Sequence, residues 1–578
     1  MKLHDHLGKL IDKVTRHWLL DIAETNPGIL QYVKNRNVYP SRRVVSFAGS
    51  FPGQYLVGCA YIYKLTQNKE LWDYCVDFAD KLISYQGANG YLSVFSEEYE
   101  LTKMTPPAYD RYPLDAKIKA PESWESWDAW SHYHNMVGLM LWYDVTGYDR
   151  YITATEKMAE LLMKKFFNSG VRLSSLDMLE ANLAPYHAML MLYNRRKRKE
   201  YLEFARDIEK DLACDKAGDY LNNALAGLPF WKSNKPRWEG LHTVMGFCEM
   251  YKTTGDKTYL EAATQVFFSI LSTDVHNTGA FSTVEMAMGT PFDNRQIETC
   301  CVVAYNAFAI QLLALTGDVR IAHFLEISTY NAVLGIYNKT GKWMTYNTPM
   351  DGHRKATIQD ICFQDLPGLS FINCCASNAH RALGMIAEWH AYLRDDTVCI
   401  NYYGDSSFEM GGMDISINGN YPFEETVDIR IGCETEKTIA LRIPEWSRNT
   451  SVEIDGKNSG SVKAGEYLLL KTNGDRVKST IRIRFDFTIR LMEGGGNYLG
   501  KHSIFRGPLL LGFDNTENSY VCFDNIPPIK WKSLKAAQVS TEGDKLTLEA
   551  DGMRLNDFYS LGQGGGYYKT WLDVEGAP

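Results

Sequence analysis

The N-terminus has no continuous apolar run: MKLHDHLGKLIDKVTRHWLL alternates charged with apolar residues. This excludes a signal peptide or a membrane span in that stretch. The expectation is a cytoplasmic chain, or a periplasmic or secreted one from which a leader has been removed. No basic stripe occurs, and 70 Asp and Glu outnumber 61 Lys and Arg for a net charge of −9, which argues against nucleic acid as a partner. Cysteine is sparse, and 12 in 578 residues are too few for a disulfide scaffold. Cys59, Cys75, Cys248 and Cys399 stand alone in apolar contexts and read as small buried hydrophobes.

What is present points to a multidomain α+β protein. At 578 residues the chain exceeds one ordinary core, so two or three domains are expected. The 35 Tyr and 13 Trp supply mostly core, although carbohydrate clefts also stack sugars on such rings. Residues 1–395 carry helical periodicity with a recurring turn, as in DVTGYDRYITATEKMAELL, KTTGDKTYLEAATQVFFSIL and ALTGDVRIAHFLEISTYNAVL. A looser form is YNRRKRKEYLEFARDIEKDL. Glycine after one helix and a charged residue opening the next suit a C-cap and tight turn. About six such pairs either close into an α/α toroid or remain an open solenoid. Residues 396–578 change character: TVDIRIG, KTIALRIPEW and STIRIRFDFTIRL alternate apolar with polar residues between turn signals. They predict a β-sandwich or two small β domains.

The repeat locates a rim. Twelve residues before Thr66, Thr146 and Thr254 stand Gln54, His134 and His242, at equivalent N-terminal helix ends. The same count from Thr316 reaches Ala304, with Cys300 and Cys301 one turn earlier, and Cys374-Cys375 precede another helix that Ser377 or Asn378 could cap. Polar residues at helix starts are often only caps, but two cysteine pairs in register with them mark a candidate site. Glu298, Cys300, Cys374 and Cys375 form a set that zinc accepts. Free buried thiols, a disulfide between the pairs, and a reactive cysteine are the other readings. Glu285 lies in the loop-like FSTVEMAMGTPFDNRQIETC and is a candidate general acid, against the plain reading of a solvated glutamate.

With these residues in view, the chain resembles glycoside hydrolase family 127, the β-L-arabinofuranosidase family. The resemblance rests on ETC at Glu298–Cys300, the pair Cys374-Cys375, TYNAVLGIY, GKWMTYNTP, ISINGNYPFEETVDIRI, ALRIPEW and FRGPLLLG. It implies a catalytic α/α six-hairpin toroid followed by β-sandwich domains, and a retaining exo-glycosidase using a zinc-bound cysteine. By that resemblance Cys374 is the nucleophile and Glu285 the acid/base. Zinc is held by Glu298, Cys300, Cys374 and Cys375. Gln54, His134, His242 and Tyr346 bind sugar hydroxyls, and Glu326 supports the site.

The implied substrate is a terminal β-L-arabinofuranosyl group on plant polysaccharide or glycoconjugate, taken by a monomer or homodimer. Three departures from the family pattern stand out: Ala376-Ser377 replace two prolines, the Glu285–Glu298 segment is short, and Cys301 is an extra thiol; the first two reshape the pocket wall and bear on the sugar. Other rare sugars are the alternative, including a branched acidic pectic sugar or anhydro-galactose. An acidic one needs a cation, for which Arg42, Arg43 and Arg237 are available. A toroid lyase, an epimerase or a non-catalytic sugar-binding protein is the reading from other classes.

Overall fold

The turn threonine explains the repeat. In each of four turns its hydroxyl donates back to the carbonyl four residues earlier: Thr66 to Ile62, Thr146 to Trp142, Thr254 to Met250 and Thr316 to Leu312. The same oxygen accepts from the amide two residues on, at 3.1–3.3 Å. One side chain thus ends one helix and starts the turn to the next. Gly147, Gly255 and Gly317 follow at φ between 64° and 73°, the left-handed conformation that ends a helix at least cost. Asn68, Asp256 and Asp318 then cap the helices that follow.

The computed structural model describes residues 1–37, 46–104, 126–356, 372–460, 462–472 and 479–578. Its main helices are α1 (His6–His17), α2 (Phe51–Thr66), α3 (Lys69–Ser84), α4 (Asp128–Thr146), α5 (Asp149–Phe166) and α6 (Pro185–Arg196). They continue with α7 (Lys199–Leu212), α8 (Gly240–Thr254), α9 (Lys257–Thr273), α10 (Thr299–Thr316), α11 (Val319–Ile327) and α12 (Cys374–Gly384). The inner helices α2, α4, α6, α8, α10 and α12 each lie against the next, and α12 closes on α2. This is the closed α/α ring rather than the open solenoid. Inner helices are buried nearly all round, as along α4 from Asp128 to Trp142. Helix α10 is long and apolar enough to cross a membrane by length and composition, yet lies 78% buried in the ring. Outer helices are amphipathic, and α7 buries Tyr201, Phe204, Ala205, Ile208 and Leu212 on one stripe. At Gly53 a Cβ would stand 2.2 Å from the His134 carbonyl carbon, so only glycine lets α2 and α4 approach this closely.

The C-terminal run of strands begins at Ala391. A seven-stranded sheet runs from the N-terminal strand Lys2–Leu3 through Ser406–Met410, Met413–Asn418 and Thr426–Cys433 to Ser479–Arg484, Ser451–Ile454 and Lys457–Asn458. A four-stranded sheet is ordered Tyr467–Lys471, Thr438–Arg442, Thr397–Ile400, Ala391–Arg394. A further sheet is built on Arg490–Glu493, His502–Arg506, Leu509–Asp514 and Met553–Asp557. Arg442 and Glu326, both about fully buried, tie these strands to α11. Tyr421 and Trp446 also donate to the Glu326 carboxylate, at 2.6 and 3.1 Å. Arg442→Met strands that carboxylate in a dry interior and is expected to cost about 3–5 kcal/mol. Urea unfolding reads the change directly, and a variant as stable as wild type refutes it.

Candidate active site

The starts of α10 and α12 deliver the thiols. Glu298 ends the strand Ile297–Glu298, which pairs with Asn347–Thr348, and Thr299 N donates to Tyr346 O at 2.8 Å. That pairing brings Tyr346 beside the cysteines, its hydroxyl 3.7 Å from Cys374 Sγ. Helix α12 begins at Cys374 itself, capped by Asn373, whose Oδ1 accepts from Ala376 N at 2.9 Å. The cap is therefore neither Ser377 nor Asn378. Those two residues lie a turn inside the helix and serve the site. Ser377 Oγ donates to Gln54 Oε1 at 2.7 Å, and Asn378 Nδ2 stands 3.7 Å from Cys300 Sγ.

The ligand-capable atoms of Glu298, Cys300, Cys374 and Cys375 all lie within 4.8 Å of one another. Cys375 Sγ is 3.4 Å from Glu298 Oε1 and 3.6 Å from Cys300 Sγ, and the adjacent pair is 4.0 Å apart. These are not disulfide separations, since a disulfide needs about 2.05 Å. They match the edge of a tetrahedron with 2.3 Å metal–sulfur bonds, about 3.8 Å. A buried Glu-Cys₃ cluster of this kind fits a metal ion. Hydrogen bonds from Cys300 and Cys375, with a further one from Tyr346, hold the Cys374 thiol well below its ordinary range despite burial. Burial pushes Glu298, Cys300 and Cys375 up. Of the three thiols Cys374 is the one held low, and it is the least enclosed of the four donors: Cys374 is 7% exposed, the others 0–1%. Cys301 stands outside the quartet, with Sγ 3.4 Å from Val284 O and 3.9 Å from Glu298 Oε2.

Three of the residues predicted to bind sugar carry unpartnered polar atoms. His134 Nε2, His242 Nε2 and Gln54 Nε2 are buried without hydrogen-bond partners. The two imidazole rings lie 5.4 Å apart, each meeting the edge of Trp130. Burial lowers both histidines well below 6.5, so both are neutral near pH 7. His242 Nδ1 contacts Glu239 O at 3.2 Å, which assigns Nδ1–H as donor and leaves Nε2 as an acceptor. Glu285 lies in the segment before Glu298 and is about one-third exposed. The two are stitched together by Val284 N to Gln296 O at 2.8 Å and Glu298 N to Val284 O at 3.2 Å.

Residues 16–388 match the family described as "Beta-L-arabinofuranosidase, GH127 catalytic domain", and residues 397–487 match the GH127 middle domain. The chain belongs to glycoside hydrolase family 127. Its fold is that of a GH127 β-L-arabinofuranosidase from Geobacillus stearothermophilus T6, with TM-score 0.77 and 17% identity over 99% of this chain and 100% of the other. A second solved GH127 β-arabinofuranosidase, BT3674, gives TM-score 0.75 and 17% identity over 99% and 96%. No curated protein matches the chain.

This GH127 ring gathers Glu298, Cys300, Cys374, Cys375 and Tyr346 into one contact network, and Ser377 links Gln54 to it. Glu326 is not brought there: its carboxylate is spent on Arg442, Tyr421 and Trp446 at the boundary with the strands. Arg42 and Arg43 fall outside the described residues. The sequence reading missed His187, whose Nδ1 is 3.0 Å from Tyr133 OH and whose Nε2 is buried without a partner. Its helix α6 ends in Arg196-Lys197 without the turn threonine, and His187 stands only nine residues before Arg196, so a twelve-residue count does not reach it. It also missed Glu239, which lies only three residues before His242.

Proposed function

We propose that this GH127 hydrolase is a retaining exo-glycosidase that removes terminal β-L-arabinofuranosyl groups, with Cys374 as nucleophile and Glu285 as acid/base. The observation that carries the reading is the buried Glu-Cys₃ cluster, in which the Cys374 thiol alone is lowered and least enclosed. Zinc fits the donor set of Glu298, Cys300, Cys374 and Cys375, and when bound it supplies positive charge that stabilises thiolate sulfur.

Cys374 Sγ attacks the anomeric carbon while Glu285 protonates the departing glycosidic oxygen, giving a thioglycosyl enzyme. Glu285, now a carboxylate, deprotonates the water that cleaves the carbon–sulfur bond and regenerates Cys374. The unpartnered nitrogens of His134, His242 and Gln54 face the sugar hydroxyls, His242 Nε2 accepting and Gln54 Nε2 donating, and Ser377 fixes which end of Gln54 faces the sugar. Support for a neutral sugar over an acidic one comes from Arg237: this guanidinium beside Glu285 is already engaged by two carboxylates.

Glu285→Gln is expected to lower turnover of aryl β-L-arabinofuranosides by about 10²–10⁴-fold, most for poor leaving groups. Azide should rescue Glu285→Ala on an activated substrate by replacing the water that no longer has a base. Unchanged kinetics in Glu285→Gln would sink the acid/base assignment.

A further inference from the structure

Arg237 and Glu239 flank the start of α8, the helix that carries His242, and their neighbourhood is crowded with carboxylates. Arg237 Nη2 donates to Glu239 Oε1 and to Glu285 Oε2, both at 2.7 Å, and Nε donates to Glu239 Oε2 at 3.0 Å. Behind them Glu180, 1% exposed, has Oε1 3.7 Å from Arg237 Nε and 3.5 Å from Lys235 Nζ, with neither oxygen hydrogen-bonded. The backbones are joined as well. Trp238 N donates to Glu285 O at 3.3 Å, Ala287 N donates to Pro236 O at 2.8 Å, and Arg237 bridges Met286.

A loop glutamate one-third exposed has several rotamers, and only some aim it at a glycosidic oxygen. Here one of its oxygens is fixed by a guanidinium that is itself fixed. Glu239 grips two nitrogens of the planar fork, leaving Arg237 little freedom to turn. Arg237 holds two carboxylates with Glu180 close by. Burial pushes the Glu239 carboxyl up to about 7, against the pull of Arg237. The arrangement lies next to the proposed acid.

Resting on the reading of Glu285 as acid/base, we propose that Arg237 is its positioning residue, clamped by Glu239 and backed by Glu180. The clamp takes Oε2 and leaves Oε1, which has no hydrogen bond among the described residues, as the oxygen that passes the proton. The anchor also links the acid loop to α8, so Glu285 and His242 are set against a common frame.

The test compares Arg237→Ala, Arg237→Lys and Glu239→Gln in the full chain on aryl β-L-arabinofuranosides of graded leaving-group acidity. Arg237→Ala is expected to lose about 100-fold in kcat on poor leaving groups and far less on good ones, with KM little changed. Added guanidinium ion should restore part of that loss, and Arg237→Lys, which keeps charge without the fork, should fall between. Glu239→Gln should show the same leaving-group pattern more weakly. A uniform loss across all leaving groups, with a lowered melting temperature and no guanidinium rescue, assigns Arg237 a merely structural role and overturns the proposal. So does wild-type behaviour of Arg237→Ala. Glu285→Ala run in parallel separates the two ideas. If it keeps its activity, the acid/base reading itself fails; if it is impaired while Arg237→Ala is not, only the positioning role fails.

Discussion

Cys374→Ser is expected to abolish glycosidase turnover, by about 10⁴-fold or more, the scale seen when a covalent nucleophile is removed. The hydroxyl is a far weaker nucleophile at neutral pH, and the stabilising contacts from Cys300, Cys375 and Tyr346 act on a sulfur anion that no longer exists. The informative comparison is with the neighbours. Cys375→Ser and Cys300→Ser should lower activity together with metal content and melting temperature, because both thiols are fully buried in the cluster. Cys301→Ser should change turnover little, since its sulfur lies outside the quartet, against the Val284 carbonyl and the far oxygen of Glu298. Substantial turnover by Cys374→Ser, with metal still bound, would move the nucleophile elsewhere and favour a lyase or epimerase chemistry.

Removing the metal should have the second-largest effect. Dialysis against a strong chelator is expected to lower activity by at least about 100-fold and to destabilise the ring by about 4 kcal/mol, as for any ligand held at about 1,000 times its dissociation constant. The direction follows from the cluster itself. Burial raises Glu298, Cys300 and Cys375, so without a cation their neutral forms are favoured and the bonds to the metal are lost. Elemental analysis before dialysis and after adding back zinc checks the identity of the ion. Full activity in protein shown to be metal-free would refute the assignment.

Much of the ring and part of its rim were legible in the sequence, for a local reason. The hydroxyls of Thr66, Thr146, Thr254 and Thr316 each bond within their own turn, so turn chemistry carries a positional signal. The sites that failed to show depend on partners far along the chain. Glu326 looks available until Arg442, 116 residues on in a strand, occupies it. Arg237 reads as a free cation until Glu285, 48 residues on, is found against it. The cap of α12 was misjudged because Ser377 and Asn378 are good capping residues, while their use depended on Gln54 and Cys300, which local sequence does not reveal.

Ring closure has a consequence for how the protein comes to exist. Helix α12 meets α2 across 323 residues between Ser377 and Gln54, and α10 supplies the remaining thiol. Synthesis proceeds from the N-terminus, so every earlier hairpin can form while its lumen is still open on one side. Cys374, the proposed nucleophile, and Cys375 arrive on the last inner helix and complete the Glu-Cys₃ cluster as they shut the ring. A nascent chain that stalls before Cys374 is therefore a barrel without a final stave. It lacks the proposed nucleophile and holds only Glu298 and Cys300 of the four clustered donors.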